Sequence, residues 1–152
     1  MIIISHRGNL YGPDKTRENT VDSINECLSL GFDVELDVWA HGQHVFLGHD
    51  KPTIQIESSF LKNEKLWCHA KNLDSLYFMI EHDINCFWHE NDKYTITNRN
   101  IIWTFPNNTL TKRSVCVLPE TQKVEIDELK KIHAICTDYC LKYKSMIDSI
   151  RM

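Results

Sequence analysis

The sequence predicts a parallel α/β fold, either a reduced barrel or an open sheet. Three observations lead there. Short β-type runs alternate with segments of helical period, the pattern of strand–helix–strand units. The middle of the chain lacks the helical segments. And 152 residues fall short of the roughly 200 or more that eight complete strand–helix units need.

The elements follow in order. Ile2-Ile3-Ile4-Ser5 is a β-branched run of the buried-strand kind. Thr20 to Leu30 carries Val21, Ile24 and Leu28 on one helical stripe, with Asn19 or Thr20 as cap and Gly31 as stop. Phe32 to Trp39 reads as a strand, and Gln43 to Leu47 as another, entered through Gly42. Leu66 to Ala70 is a strand, after which Asn72 can cap a helix striped by Leu73, Leu76, Tyr77 and Ile80. Ile84–Trp88, Ile101–Phe105 and Ser114–Leu118 are strand candidates joined by loop-like segments, 90–100 and 106–113. A helix near 125–131, the strand Ala134–Thr137 and a last helix over 139–150 complete one domain, 1–152.

Composition excludes several classes. Hydrophobic content is 42% and charged content 25%, with a net charge of -4, so a non-specific nucleic-acid binder is not expected. No run approaches the roughly 18 apolar residues of a membrane span. The opening Met1-Ile2-Ile3-Ile4 has no cationic leader, so a cytoplasmic protein with reduced thiols is expected. Cys27, Cys68, Cys86, Cys116, Cys136 and Cys140 mostly stand in apolar runs, and no pair has the CxxC spacing of a zinc site. The oligomeric state stays open.

Four polar clusters fall at or near strand ends, where parallel α/β folds gather their chemistry. They are His6-Arg7-Gly8, Glu18-Asn19, Glu35-Leu36-Asp37 and His49-Asp50. Glu35 and Asp37 are two apart, so a strand presents both on one face while Val34, Leu36 and Val38 take the other. Two carboxylates side by side repel and push one pKa up unless a positive charge lies between them. A divalent cation resolves that conflict, because hard cations take carboxylate oxygen. Trp39, just beyond Asp37, is the tryptophan placed for substrate contact; Trp67, Trp88 and Trp103 read as core.

In these residues the chain resembles the glycerophosphodiester phosphodiesterase family. That family's signature runs His-Arg-Gly, Glu-Asn-Thr, Glu-x-Asp and His-Asp. Here the order is His6-Arg7-Gly8, Glu18-Asn19-Thr20, Glu35-Leu36-Asp37 and His49-Asp50. The match is dense over residues 2–50. Beyond, Lys71 fits a Glu-x-Lys element and Thr137-Asp138 a late Thr-Asp. The resemblance implies a TIM-type (β/α) barrel of about seven or eight short parallel strands, missing its middle helices. It implies a metal-dependent enzyme acting on a small glycerophosphodiester-like substrate. His6 and His49 would be the acid–base pair, Arg7 and Lys71 would bind the phosphate, and Glu18 and Asp50 would support them. Glu35 and Asp37 would hold the metal, Mg²⁺ or Ca²⁺.

The chain departs from the family at the third ligand, where His69 replaces the Glu of Glu-x-Lys. Imidazole brings no charge and favours Mn²⁺ or Zn²⁺ over Ca²⁺. Three arrangements follow: His69 as ligand, a metal held by Glu35, Asp37 and water, or a site without metal. The first is preferred. Glu90 is an alternative third carboxylate, with a solvated loop the equal reading. The short length suggests an open cleft. Alternatives to hydrolysis are a phospholipase D-like lyase of the same superfamily and a catalytically silent phosphate- or metal-binding relative. Two histidines suited to proton transfer argue against the silent form.

Overall fold

Triple isoleucine at the start of the chain builds the first central strand, and each following strand is laid beside it by the same rule of apolar runs. The computed structural model describes residues 1–150. In chain order the elements are β1 (Ile2–His6), α1 (Val21–Ser29), β2 (Asp33–His41), β3 (His44–Leu47), β4 (Ile54–Ile56), β5 (Leu66–Ala70), α2 (Leu73–Glu81), β6 (Cys86–Phe87), β7 (Tyr94–Ile96), β8 (Ile102–Thr104), β9 (Ser114–Val117), α3 (Ile126–Leu129), β10 (Ala134–Thr137) and α4 (Cys140–Ile150).

The ten strands form one mostly parallel sheet. Its parallel part runs β6-β5-β2-β1-β10-β9-β8, while β3 and β4 fold back antiparallel on the far end of β2 and β7 pairs antiparallel with β8. The expected barrel is therefore corrected in one respect: the sheet is not closed, because no ladder joins β6 to β8. Two other contacts stitch that seam. Phe87 of β6 stacks on Trp103 of β8 with ring centroids 4.4 Å apart. Asn98, on the turn after β7, receives the Cys86 N–H at its side-chain oxygen and donates its own backbone N–H to the Cys86 carbonyl.

Alternation along each strand sorts the core into an inner and an outer part. On one face Ile4, Trp67, Phe87, Trp103, Val115, Val117 and Cys136 pack together. On the other, Val34, Leu36 and Val38 meet Ile24 and Cys27 of α1 and Phe78 and Met79 of α2. Ile135 and Cys116 meet Leu129 and Tyr143 beneath α3 and α4. The middle crossovers are bare, as the sequence indicates: a three-residue strand, β7, is the one regular element between β6 and β8, and residues 105–113 hold none.

Local chemistry sets the boundaries. Thr20 caps α1 by accepting the Ser23 N–H, and Gly31 stops it at φ 88°. Asn72 and Ser75 form a reciprocal capping box at α2. The α2 stripe is corrected. Ser75, Phe78 and Met79 face the sheet and Leu76 of the predicted stripe packs beside them, whereas Leu73, Tyr77 and Ile80 are exposed. The predicted apolar stripe and the packed face are adjacent sides of one helix, because α2 is apolar on most of its circumference. The strand expected at 84–88 shrinks to Cys86–Phe87, β7 arises in the stretch 90–100 read as a loop, and β4 in a stretch assigned no element. No helix is long and apolar enough to cross a membrane among the described residues.

Candidate functional site

Parallel pairing brings the carboxyl ends of neighbouring strands to one side, and the register fixes which residues meet. His6 lies opposite Glu35 across β1–β2, and Asp37 opposite His69 across β2–β5. Four groups from three strands thus share one pole of the sheet, with Asp138 arriving directly after β10.

The turn His6-Arg7-Gly8 is built for close approach. Arg7 and Gly8 both adopt left-handed conformations, φ 54° and 86°. That is uncommon for arginine and costs roughly 1 kcal/mol or more, a strain that collects at functional sites. A Cβ on Gly8 would stand 2.5 Å from Ser23 Oγ, so nothing larger fits. The turn sends the Arg7 N–H to the Glu35 carbonyl at 2.9 Å. Its guanidinium reaches Glu18 at 3.4 Å and Asp37 Oδ2 at 3.4 Å. Buried Nε of Arg7 has no hydrogen-bond partner.

Glu35 and Asp37 are buried, at 2% and 1% exposure, as inward-facing acids on the strand that turns Leu36 outward. Each has one oxygen committed to N–H donors. Glu35 Oε2 accepts from the Arg7 backbone at 3.2 Å, and Asp37 Oδ2 accepts from Asn19 Nδ2 at 2.9 Å. Asn19, held at φ 55°, returns its own oxygen to the Asp37 N–H at 2.8 Å. The other oxygens, Glu35 Oε1 and Asp37 Oδ1, face His69 Nδ1 at 3.8 and 3.1 Å. Asp37 Oδ1 is buried without a hydrogen-bond partner, although Lys71 Nζ also lies 3.6 Å away. His69 Nε2 donates to the His89 carbonyl at 2.8 Å. A carbonyl only accepts, so that bond assigns the proton to Nε2 and turns Nδ1 toward the acids. Ligand atoms of Glu35, Asp37 and His69 all lie within 4.8 Å of one another. A buried orphan oxygen, a second carboxylate oxygen and an imidazole whose Nδ1 faces both fit a metal ion.

Burial raises the Glu35 pKa, and the Asp37 charge beside it raises it further. Asp37 goes the other way. Burial works to raise it, but His69, Arg7 and Lys71 outweigh that and hold it well below the usual carboxylate range. The pair follows the like-charge rule, one pKa up and one down. Burial works to lower His6, yet its 2.8 Å bond from Nδ1 to Asp138 and the Glu35 charge leave it raised. Asp138 is correspondingly lowered: burial opposes its charge, and His6 and Asn9 overcome that. Asn9 donates to the same Asp138 oxygen at 2.8 Å and to Glu18 at 3.0 Å. Glu120 accepts the Asp138 N–H at 2.9 Å and the Thr137 hydroxyl at 2.8 Å.

His49 stands on the rim. With Asp50, to which its Nδ1 is bonded at 2.7 Å, it lines a cleft of about 400 Å³ shared with Arg7, Glu18, Asn19, Lys15 and Thr53. Its loop is tied down by Trp39, whose indole N–H donates to the Gly48 carbonyl at 2.6 Å. Trp39 thus anchors the loop. Glu90 is exposed on the loop after β6 and lies outside the Glu35–Asp37–His69 group, so the alternative third ligand is set aside.

The remaining site residues proposed from sequence, His6, Arg7, Glu18, Glu35, Asp37, His69 and Lys71, are joined by the contacts above, while His49 and Asp50 share only the cleft. Sequence reasoning missed Asn9 and Glu120 as second partners, and placed Asn19 in the Glu18-Asn19 cluster and as a helix cap without a role toward Asp37. Asp138 had a signal, its place directly after a strand. Glu120 had none, since a lone acid before a loop is common. No protein-family profile, characterised protein or solved structure matches this chain.

Proposed function

We propose that this chain is a metal-dependent phosphodiesterase of the glycerophosphodiester phosphodiesterase kind, on a reduced TIM-type frame, hydrolysing a small glycerophosphodiester-like substrate. The observation that carries the reading is the buried group Glu35–Asp37–His69 with the cations Arg7 and Lys71 beside it, Arg7 Nε being buried without a hydrogen-bond partner. A phosphodiester anion resists attack because it is already negative, and such a site answers that difficulty. The seven parallel strands, and active-pole residues gathered at their carboxyl ends, support the barrel-like frame.

When bound, a divalent cation supplies positive charge and Lewis acidity for the phosphate oxygens. Arg7 and Lys71 bind the remaining anionic oxygens, with Glu18 orienting the guanidinium. Asp138 takes the Nδ1–H of His6, which leaves Nε2 of His6, 4.0 Å from Glu35, as the atom that moves a proton. His49, oriented by Asp50, is the second proton-transfer group. One accepts the proton of the attacking hydroxyl, from water or from the substrate itself, and the other protonates the leaving alkoxide. Six buried thiols without a disulfide among the described residues support a reducing, cytoplasmic setting.

The test is a turnover assay on a panel of glycerophosphodiesters and bis(p-nitrophenyl) phosphate. His6→Ala and His49→Ala are each expected to lose about 10²-fold or more in kcat. Wild-type rates in both variants would end the two-histidine mechanism.

A further inference from the structure

We infer that the Glu35–Asp37–His69 group is built for a borderline transition-metal dication of the Zn²⁺ or Mn²⁺ class, and selects against Mg²⁺ and Ca²⁺. This rests on the metal assignment above but not on turnover.

Donor chemistry sets the preference. Glu35 Oε2 accepts the Arg7 N–H and Asp37 Oδ2 the Asn19 amide, which leaves Glu35 Oε1 and Asp37 Oδ1 turned toward His69. The third donor is nitrogen. A carboxylate oxygen of each acid and an imidazole nitrogen of His69 thus lie within 4.8 Å of one another. Ca²⁺ takes six to eight oxygens and uses bidentate carboxylates, and Mg²⁺ demands octahedral oxygen. Three protein donors including imidazole, with a position left for water or substrate, match catalytic zinc.

His69 is held in place by two contacts. Its ring lies stacked on Phe87, with centroids 5.1 Å apart and planes 8° apart, and its Nε2–H is fixed on the His89 carbonyl. Outer-shell anchoring of this kind orients a metal-binding histidine and raises its basicity. Asp37 Oδ1, in a side chain only 1% exposed and without a hydrogen-bond partner, points at the same place.

The experiment is calorimetric titration of chelator-stripped protein with Zn²⁺, Mn²⁺, Mg²⁺ and Ca²⁺, each alone, with no substrate present. One Zn²⁺ or Mn²⁺ per chain is expected to bind at least about 100-fold more tightly than Mg²⁺ or Ca²⁺. Asp37→Asn should abolish that site, and His69→Glu should narrow the preference at least about tenfold. The second readout uses the wild-type chain: the ¹⁵N resonance of His69 Nδ1, assigned through His69→Gln, should shift on adding Zn²⁺. Equal or tighter Mg²⁺ or Ca²⁺ binding, or an unmoved His69 Nδ1 resonance at saturation, overturns the inference. A chain that binds Zn²⁺ in this way yet turns over no phosphodiester retains the inference and loses the proposed function instead.

Discussion

Asp138 receives the Nδ1–H of His6 and an Asn9 amide on one oxygen, and this small bond decides which nitrogen of His6 is available for chemistry. The pair also couples stability to pH. His6 is raised in the folded chain, so its contribution is full below its ordinary value of 6.5 and is lost as the pH rises through the folded value. Asp138 is lowered, so its contribution is present above 3.8 and is lost as the pH falls through its folded value. Asp138→Asn should therefore cost about 2 kcal/mol near pH 6, and the deficit should shrink by pH 9; paired thermal melts at the two pH values check this. At Gly8, alanine meets both a left-handed backbone and Ser23 Oγ at 2.5 Å. Gly8→Ala is expected to destabilise by about 1–3 kcal/mol and to lower kcat through the displaced Arg7, read by denaturant melts and assay together.

At the scale of elements, caps and strand register position the site. Asn72 closes the capping box of α2 and also exchanges two hydrogen bonds with the backbone of Ala40 at the end of β2. Asn72→Ala should lower stability by about 1–2 kcal/mol with little change in the site, measured as a shifted urea midpoint at unchanged kcat. β2 was legible as a nine-residue run whose period of two puts Glu35 and Asp37 on one face, opposite Val34, Leu36 and Val38, and β5 as a short, mostly apolar run. Less was legible where elements are short. β6 keeps two residues and β7 three, lengths at which the apolar pattern does not separate strand from loop. The buried face of α2 was misread for the opposite reason: the helix is apolar nearly all round, so periodicity does not choose a side. Asn19, Asn9 and Glu120 entered the site by tertiary contact across 9 to 18 residues or more, a distance at which no local spacing announces a partner.

For the molecule as a whole, a parallel sheet stripped of its middle helices keeps a working pole if its seam holds. No ladder joins β6 and β8, and Phe87 against Trp103 carries the inner face there. Trp103 is 3% exposed and also meets Trp67. Trp103→Ala should cost about 3–5 kcal/mol, seen as a large loss of Tm. It should also loosen His69, because Phe87 stacks on both rings. The central claim is metal-dependent phosphodiester hydrolysis at the Glu35–Asp37–His69 pole, and ³¹P NMR of a glycerophosphodiester mixed with the protein tests it most directly. The account predicts that the diester resonance gives way to a phosphomonoester, directly or through a cyclic phosphate, that EDTA stops the conversion, and that added dication restores it. A diester resonance that persists with every dication, or a conversion that EDTA and Asp37→Asn leave untouched, would contradict it.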